Sequence, residues 1–226
     1  MYQQRPQVGS MDVVIVDYGA GNLRSVARAV AHSGVEATVS ARPQDVLAAK
    51  ALIVPGVGAA EDTMAHLRAG GLVEPILEYI ASDRPVLGVC MGQQALFDYS
   101  EEGGRHDCLG VLPGRITRFP SGMTVPHMGW NTVELRGEHP VFEGIPDGSF
   151  FYFVHSYHPA PADDSVVLGE TDYDGVRFPS VVGRGNVVAT QFHPEKSSRW
   201  GLQLYANFLR LAKERGSIAP AGATAL

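Results

Sequence analysis

Short, uninterrupted apolar runs alternate with amphipathic stretches through the first half of the chain. Asp12 to Val16, Ala51 to Val54 and Val86 to Val89 are continuous β-branched or leucine-rich runs, the pattern of strands buried on both faces of a parallel sheet. Glu36 to Val39 predicts a further strand. Between them, Leu23 to His32 sets Leu23, Val26, Ala27, Val30 and Ala31 on one helical face. Pro43 to Ala49 and Leu72 to Ile80 carry further helical patterns. The second half changes character. Ile116 to Phe119, Asn131 to Leu135, Phe150 to Val154, Ser165 to Leu168 and Ser180 to Val182 are short strands between turns, expected to form an antiparallel or mixed section packed onto the first sheet. Val187 to Phe192 predicts one more strand. A last helix opens at Ser197 or Ser198 with an apolar stripe of Leu202, Tyr205, Phe208, Leu209 and Ala212.

This pattern is that of one α/β domain over residues 11–214, preceded by a disordered lead-in, 1–10, and followed by a flexible tail, 215–226. The chain has 226 residues, 45% of them apolar, enough for one substantial core. A formal net charge of -6 and the lack of a long basic run argue against nucleic acid as a partner. No apolar run approaches the roughly 18 residues of a membrane span. Two cysteines, Cys90 and Cys108, make no disulfide framework, which fits a reducing cytoplasm.

Cys90 carries the sharpest chemical signal. It lies between glycines in Leu87-Gly88-Val89-Cys90-Met91-Gly92-Gln93-Gln94, with a strand before it and a helical pattern, Gln93 to Tyr99, after it. That is the strand–turn–helix setting of a nucleophile elbow, with sulfur as the nucleophile. A helix start also favours thiolate. His193 and Glu195 flank a proline in Gln191-Phe192-His193-Pro194-Glu195. Residues two apart in extended backbone point the same way, so Glu195 can stand behind the imidazole and Cys90 ahead of it. Gly56-Val57-Gly58, after Pro55, can aim an amide at a developing oxyanion, with the Met91 amide as second donor. Cys108 and the remaining histidines, His127, His155 and His158 among them, read as ordinary packing or turn residues. Asp17-Tyr18-Gly19-Ala20-Gly21-Asn22 lacks the third glycine of a dinucleotide fingerprint, Arg24 standing in its place, and no His/Cys/acid spacing suggests a metal. Neither a cofactor nor a metal is expected.

These residues together resemble the class I, triad-type glutamine amidotransferases. Asp17 to Val26, Pro126-His127-Met128-Gly129-Trp130-Asn131, Phe151 to Tyr157 and His193-Pro194-Glu195-Lys196-Ser197 resemble, more narrowly, the glutaminase subunits of imidazole glycerol phosphate synthase. The resemblance implies a flavodoxin-like α/β fold that hydrolyses glutamine to glutamate and ammonia through a glutamyl thioester. Cys90 would be the nucleophile, His193 the proton carrier and Glu195 its holder. It implies contacts to glutamine from Gln94, Glu102, Ser156 and Tyr157. It also implies a heterodimer with a (β/α)₈-barrel cyclase, which takes the ammonia to convert PRFAR into imidazole glycerol phosphate and AICAR. Asn22, Met128, Trp130 and Lys196 match the family's partner-facing positions. The alternatives are the glutaminase of another synthase, such as that of pyridoxal phosphate, or a non-catalytic synthase-binding subunit.

Overall fold

The computed structural model describes residues 13–19 and 21–214. The expected lead-in, the tail and Asp12 lie outside the described residues. Strands β1 (Val13–Val16), β2 (Ala37–Ser40), β3 (Ala51–Val54) and β4 (Val86–Val89) alternate with helices α1 (Leu23–His32), α2 (Pro43–Ala48), α3 (Ala60–Ala69) and α4 (Val73–Ala81). One helical turn, α5 (Met91–Gln94), follows β4. Strands β5 (Phe97–Ser100), β6 (His106–Asp107), β7 (Leu112–Arg118), β8 (His127–Leu135), β9 (Ser149–His155), β10 (Tyr157–Pro161), β11 (Val167–Tyr173), β12 (Val176–Arg184) and β13 (Val187–Thr190) come next. Helix α6 (Ser198–Glu214) closes the described chain.

Nine strands form one mixed sheet in the order β2-β1-β3-β4-β13-β12-β11-β8-β9. The first five are parallel neighbours and the last four add antiparallel. The sheet is covered on both faces, as its apolar runs require. Val13 and Ile15 of β1 and Ala51 and Ile53 of β3 pack with α1 and α6, whereas Val14, Val16, Leu52 and Val54 pack with residues of α2, α3 and α4. The fold is thus the α/β class expected, with one correction. The antiparallel strands β8, β9, β11 and β12 extend the main sheet sideways instead of packing on it. A separate four-stranded sheet, β10-β7-β5-β6, supplies the second layer.

Other expectations need correcting. The helix expected over Gln93 to Tyr99 ends after one turn, and Phe97–Ser100 is a strand. The carbonyls of Ala95, Leu96 and Phe97, which a helix would use internally, accept instead from the amides of Leu109, Val111 and Gly110, each at 2.9 Å. On α1 the buried small residue is Ala29, and Ala31 is exposed. The last predicted strand stops at Thr190, and on α6 Leu204 is buried where Leu202 is only half-buried. Helix α3 had no forecast in the sequence.

Candidate active site

Strands β4 and β13 are parallel neighbours, with Val89 opposite Thr190. Each releases one chemical group at its carboxyl end, where open α/β sheets place their ligands. Cys90 follows β4 directly, its amide bonded to the Thr190 carbonyl at 2.7 Å. Its φ of 54° and ψ of -107° are a conformation that a non-glycine residue holds only under constraint. The flanking glycines supply the room. A Cβ on Gly92 would stand 1.8 Å from the Val54 carbonyl oxygen, and one on Gly88 would meet Gly92 O at 2.9 Å and the Ala189 Cβ at 3.0 Å. The strained elbow read from the sequence is therefore present. The helix behind it is a single turn, so the expected dipole contribution to the thiol is small.

His193 leaves β13 and is pinned to β9. Its amide donates to the Tyr152 carbonyl at 2.9 Å, the Ser197 hydroxyl donates to the His193 carbonyl at 2.6 Å, and the Tyr152 amide donates to that hydroxyl at 2.9 Å. His193 Nδ1 lies 2.8 Å from Glu195 Oε1, both side chains 3% exposed. Nδ1 thus carries a proton held by the carboxylate, and the buried, unpaired Nε2 is left for chemistry. Burial opposes charge on this ring, but the neighbouring Cys90 and Glu195 outweigh it and raise the imidazole pKa above its usual value. Cys90 and His193 line the same cavity, and His193 Nε2 has no hydrogen-bond partner there. Behind the pair, Gly201 of α6 lies so tight on the turn Pro194–Lys196 that a Cβ there would be 1.8 Å from the Pro194 oxygen.

A cavity of about 180 Å³ joins these groups, lined in part by Val57, Gly58, Cys90, Met91, Gln94 and His193. Glu102, Val154, His155, Ser156 and Tyr157 complete the wall. Drug-sized ligands take roughly 300–1,000 Å³, so this space suits a molecule nearer the size of an amino acid. Of the oxyanion candidates, Val57, Gly58 and Met91 line the cavity. Gly56 stands behind it, where a Cβ would meet Tyr18 Oη at 2.4 Å and the Met91 Cβ at 2.6 Å. That tyrosine, unnoticed in the sequence, donates from its hydroxyl to the Pro55 carbonyl at 2.9 Å and so braces the loop.

The expected glutamine contacts are all in the wall, with their polar groups partly spoken for. Gln94 Nε2 donates to the Tyr157 carbonyl at 2.9 Å and to Gln191 Oε1 at 3.0 Å, leaving only its Oε1 for a ligand, as an acceptor. Glu102 Oε2 accepts from the Ala60 amide at 2.9 Å, capping α3. The Ser156 carbonyl accepts from the Phe119 amide at 3.2 Å. Sequence reasoning missed Gln191, Val154 and His155. Gln191 directs Nε2 at Cys90 Sγ from 3.8 Å, and the signal was its place two residues before the histidine.

The four partner-facing candidates are all exposed. Met128 and Trp130 stand on one face of β8, 62% and 52% exposed, beside Phe150 at 55% on β9. The Trp130 ring meets Tyr152 edge-on, and the Lys196 ammonium lies over the Tyr152 ring, 5.9 Å from its centroid. Asn22 caps α1, accepting from the Ser25 amide at 3.3 Å, and α1 packs against the turn that carries Lys196. Among the described residues, no group of three or more His, Cys, Asp or Glu could hold a metal ion.

Known proteins match this geometry and this sequence together. Residues 14–211 match the family model described as glutamine amidotransferase class-I. Imidazole glycerol phosphate synthase subunit HisH of Dehalococcoides mccartyi is 53% identical over 200 residues, covering 88% of this chain and 97% of that protein. The subunit HisH of Desulfitobacterium hafniense is 49% identical over 205 residues, covering 91% and 97%. Among solved structures, one described as a glutamine amidotransferase superposes with a TM-score of 0.70 at 25% identity, covering 88% of this chain and 98% of that one. PurLQS from Thermotoga maritima shares the fold, with a TM-score of 0.67 at 19% identity over 90% and 99%. The chain belongs to the class I glutamine amidotransferases, among the HisH subunits of imidazole glycerol phosphate synthase.

Proposed function

We propose that Cys90, His193 and Glu195 hydrolyse glutamine, and that the ammonia passes to a (β/α)₈-barrel cyclase partner in histidine biosynthesis. One observation carries the chemistry. The strained thiol and a histidine–carboxylate pair at 2.8 Å converge on one small cavity from adjacent strand ends. Cys90 gives its thiol proton to His193 Nε2, the resulting thiolate attacks the side-chain amide carbon of glutamine, and the carbonyl electron pair moves onto oxygen. Amides of the Val57–Gly58 segment and of Met91 receive that oxyanion. His193 gives its Nε2 proton to the leaving nitrogen, ammonia departs, and a glutamyl thioester remains. Water, deprotonated by His193, then cleaves the thioester to glutamate and restores the thiol. Glu195 keeps the imidazole upright and steadies its charge.

The partner assignment rests on the relatives' names and on the exposed apolar face of Met128, Trp130 and Phe150, a patch that a partner would cover. Among the described residues no helix is long and apolar enough to cross a membrane. Glutamate release from glutamine tests the reading, with and without the cyclase and its nucleotide ligand, beside Cys90→Ala. The expected result is release that needs Cys90 and rises with the liganded cyclase. Release indifferent to the cyclase assigns the chain to another synthase, and release without Cys90 overturns the triad.

A further inference from the structure

Strand β8 shows two different faces within five residues. Met128 and Trp130 point outward, while His127 and Asn131 point inward with Val133. The inward residues start a hydrogen-bonded series whose donors and acceptors can be assigned at each step. Asn131 Oδ1 accepts from the Thr132 amide at 2.8 Å, and its Nδ2 donates to the Asp172 carbonyl at 2.8 Å. The second Nδ2 hydrogen therefore faces His127 Nε2, 3.2 Å away, which must be the bare nitrogen of a neutral ring. His127 Nδ1 then carries the proton and donates to His155 Nε2 at 3.0 Å. His155 Nδ1 donates in turn to the Tyr157 carbonyl at 2.8 Å. That same carbonyl takes Gln94 Nε2 from the other side, Gln94 donates on to Gln191, and Gln191 reaches the Cys90 sulfur.

We infer that this series couples the outward strand to the glutamine pocket, with His127 and His155 as positioning residues that set the Tyr157 carbonyl, Gln94 and Gln191. The inference rests on the functional reading above. The series is mechanical and moves no proton, because donors converge on the Tyr157 carbonyl from both sides and a carbonyl passes none on. Its members leave little slack. His127 and His155 are buried in a ring cluster, His127 stacked 4.1 Å from Tyr173 and 4.8 Å from Phe153. His127 also pairs directly with His155 across β8 and β9, and His155 ends the strand whose next two residues are cavity wall. A partner pressing on Met128 and Trp130 shifts the backbone that carries His127 and Asn131. The two histidines transmit that shift to the group that fixes Gln94.

Two substitutions at one position separate coupling from packing. His127→Phe keeps a ring to stack but removes the donor to His155. His127→Asn keeps a donor where Nδ1 lies but loses the ring. Glutamine KM, kcat and stimulation by the liganded cyclase are measured for each, beside thermal unfolding. The expected result is a glutamine KM about tenfold higher for His127→Phe, the scale of one buried hydrogen bond left unpaired, with a matching loss of stimulation. His127→Asn keeps the donor to His155 and loses only the link to Asn131, so its KM rises no more than about threefold although it unfolds earlier. KM and stimulation that follow thermal stability instead, with Asn worse than Phe, overturn the inference, as does wild-type behaviour in both. Should His127→Phe not fold, Asn131→Ala decides. A rise in KM of about threefold is expected from losing the first link, and an unchanged KM overturns the coupling. A wild-type protein without cyclase stimulation would remove the functional reading itself, an outcome distinct from a normal wild type with indifferent variants.

Discussion

Strands β1, β3, β4 and β13 are buried at all four of their positions, whereas β8 and β9 alternate buried positions with exposed or half-buried ones. Away from its edge strand β2, the parallel half is covered on both faces and offers only its strand ends, so its chemistry sits at a turn. The antiparallel half keeps one face open, so a single strand presents Trp130 to solvent and His127 to the core. The candidate site lies where the two halves meet. Cys90 belongs to the parallel half, and His193, though it leaves β13, takes its position from Tyr152 of β9. The parallel half holds the proposed nucleophile, and the half with an open face positions the proposed base.

Breaking the junction has the largest expected effect. Glu195→Gln keeps the volume but removes the charge that holds His193, and the rate of glutamate release should fall by roughly 10²–10⁴. Thermal unfolding should change little beside that loss. The comparison with Cys90→Ala is informative, because equal stability with unequal residual rates marks the carboxylate as orienting and the thiol as indispensable.

Within the parallel half the prediction concerns stability. Ile53 is fully buried between β1 and β4, so Ile53→Ala should cost about 2–5 kcal/mol in a urea titration. A cost under about 1 kcal/mol would mean that the sheet centre relaxes around the lost volume, against the dense packing seen on both faces.

The same contrast explains what the sequence made legible. Continuous apolar runs have one structural solution, and α1, β3 and β4 lie at the residues their patterns indicate. The elbow was equally plain, since only glycine fits beside Val54 and Ala189. Helix α3 was not, because Ala60 to Ala69 mixes small, charged and apolar residues without a clean stripe, and its Ala60 amide is capped by a distant Glu102. Gln93 to Tyr99 reads as helix because the carbonyl partners of Ala95, Leu96 and Phe97 come from residues 109–111, a long-range choice that local pattern does not contain. The histidines were underestimated for a related reason. His127 shares strand parity with Val133, and His155 with Phe151 and Phe153, so period-two phasing was a usable sign of their burial. Their mutual bond depends on a register that only the folded hairpin sets.

Acid should sharpen the contrast next. Burial lowers the pKa of His127 to about 4 and that of His155 to about 3, so both are neutral in the fold and protonate near their usual value, about 6.5, once unfolded. Their stabilising contribution is complete above about pH 6.5 and is lost as pH falls toward their folded values. His193 has the opposite sign, its raised pKa contributing fully below about 6.5 and losing its effect only as pH rises through the folded value. From pH 6.5 down to 5 this pair, together with His158, whose pKa burial also lowers, therefore sets the trend. Wild type should lose about 1.4 kcal/mol more per pH unit than His127→Phe, for the one titrating ring removed. Parallel stability–pH curves for the two proteins would show that His127 is not held neutral.

The smallest stability effect tests the open face itself. Trp130 is half exposed and touches Tyr152 only edge-on, so Trp130→Ser removes little buried area from the folded chain. Its unfolding free energy should stay within about 0.5 kcal/mol of wild type, as at other surface positions. Binding to the cyclase should weaken by about 2 kcal/mol or more, because aromatic anchors dominate interfaces of this kind. Calorimetric titration and urea unfolding on the same sample give both numbers. A variant that loses stability but not affinity would put Trp130 in the core of its own chain, and the open face would then lose its claim to a partner. Affinity lost at constant stability means that the alternation along β8 serves two masters, an outward anchor and an inward hydrogen-bonded series. That division is possible only because an antiparallel strand, unlike its parallel neighbours, need bury only one side.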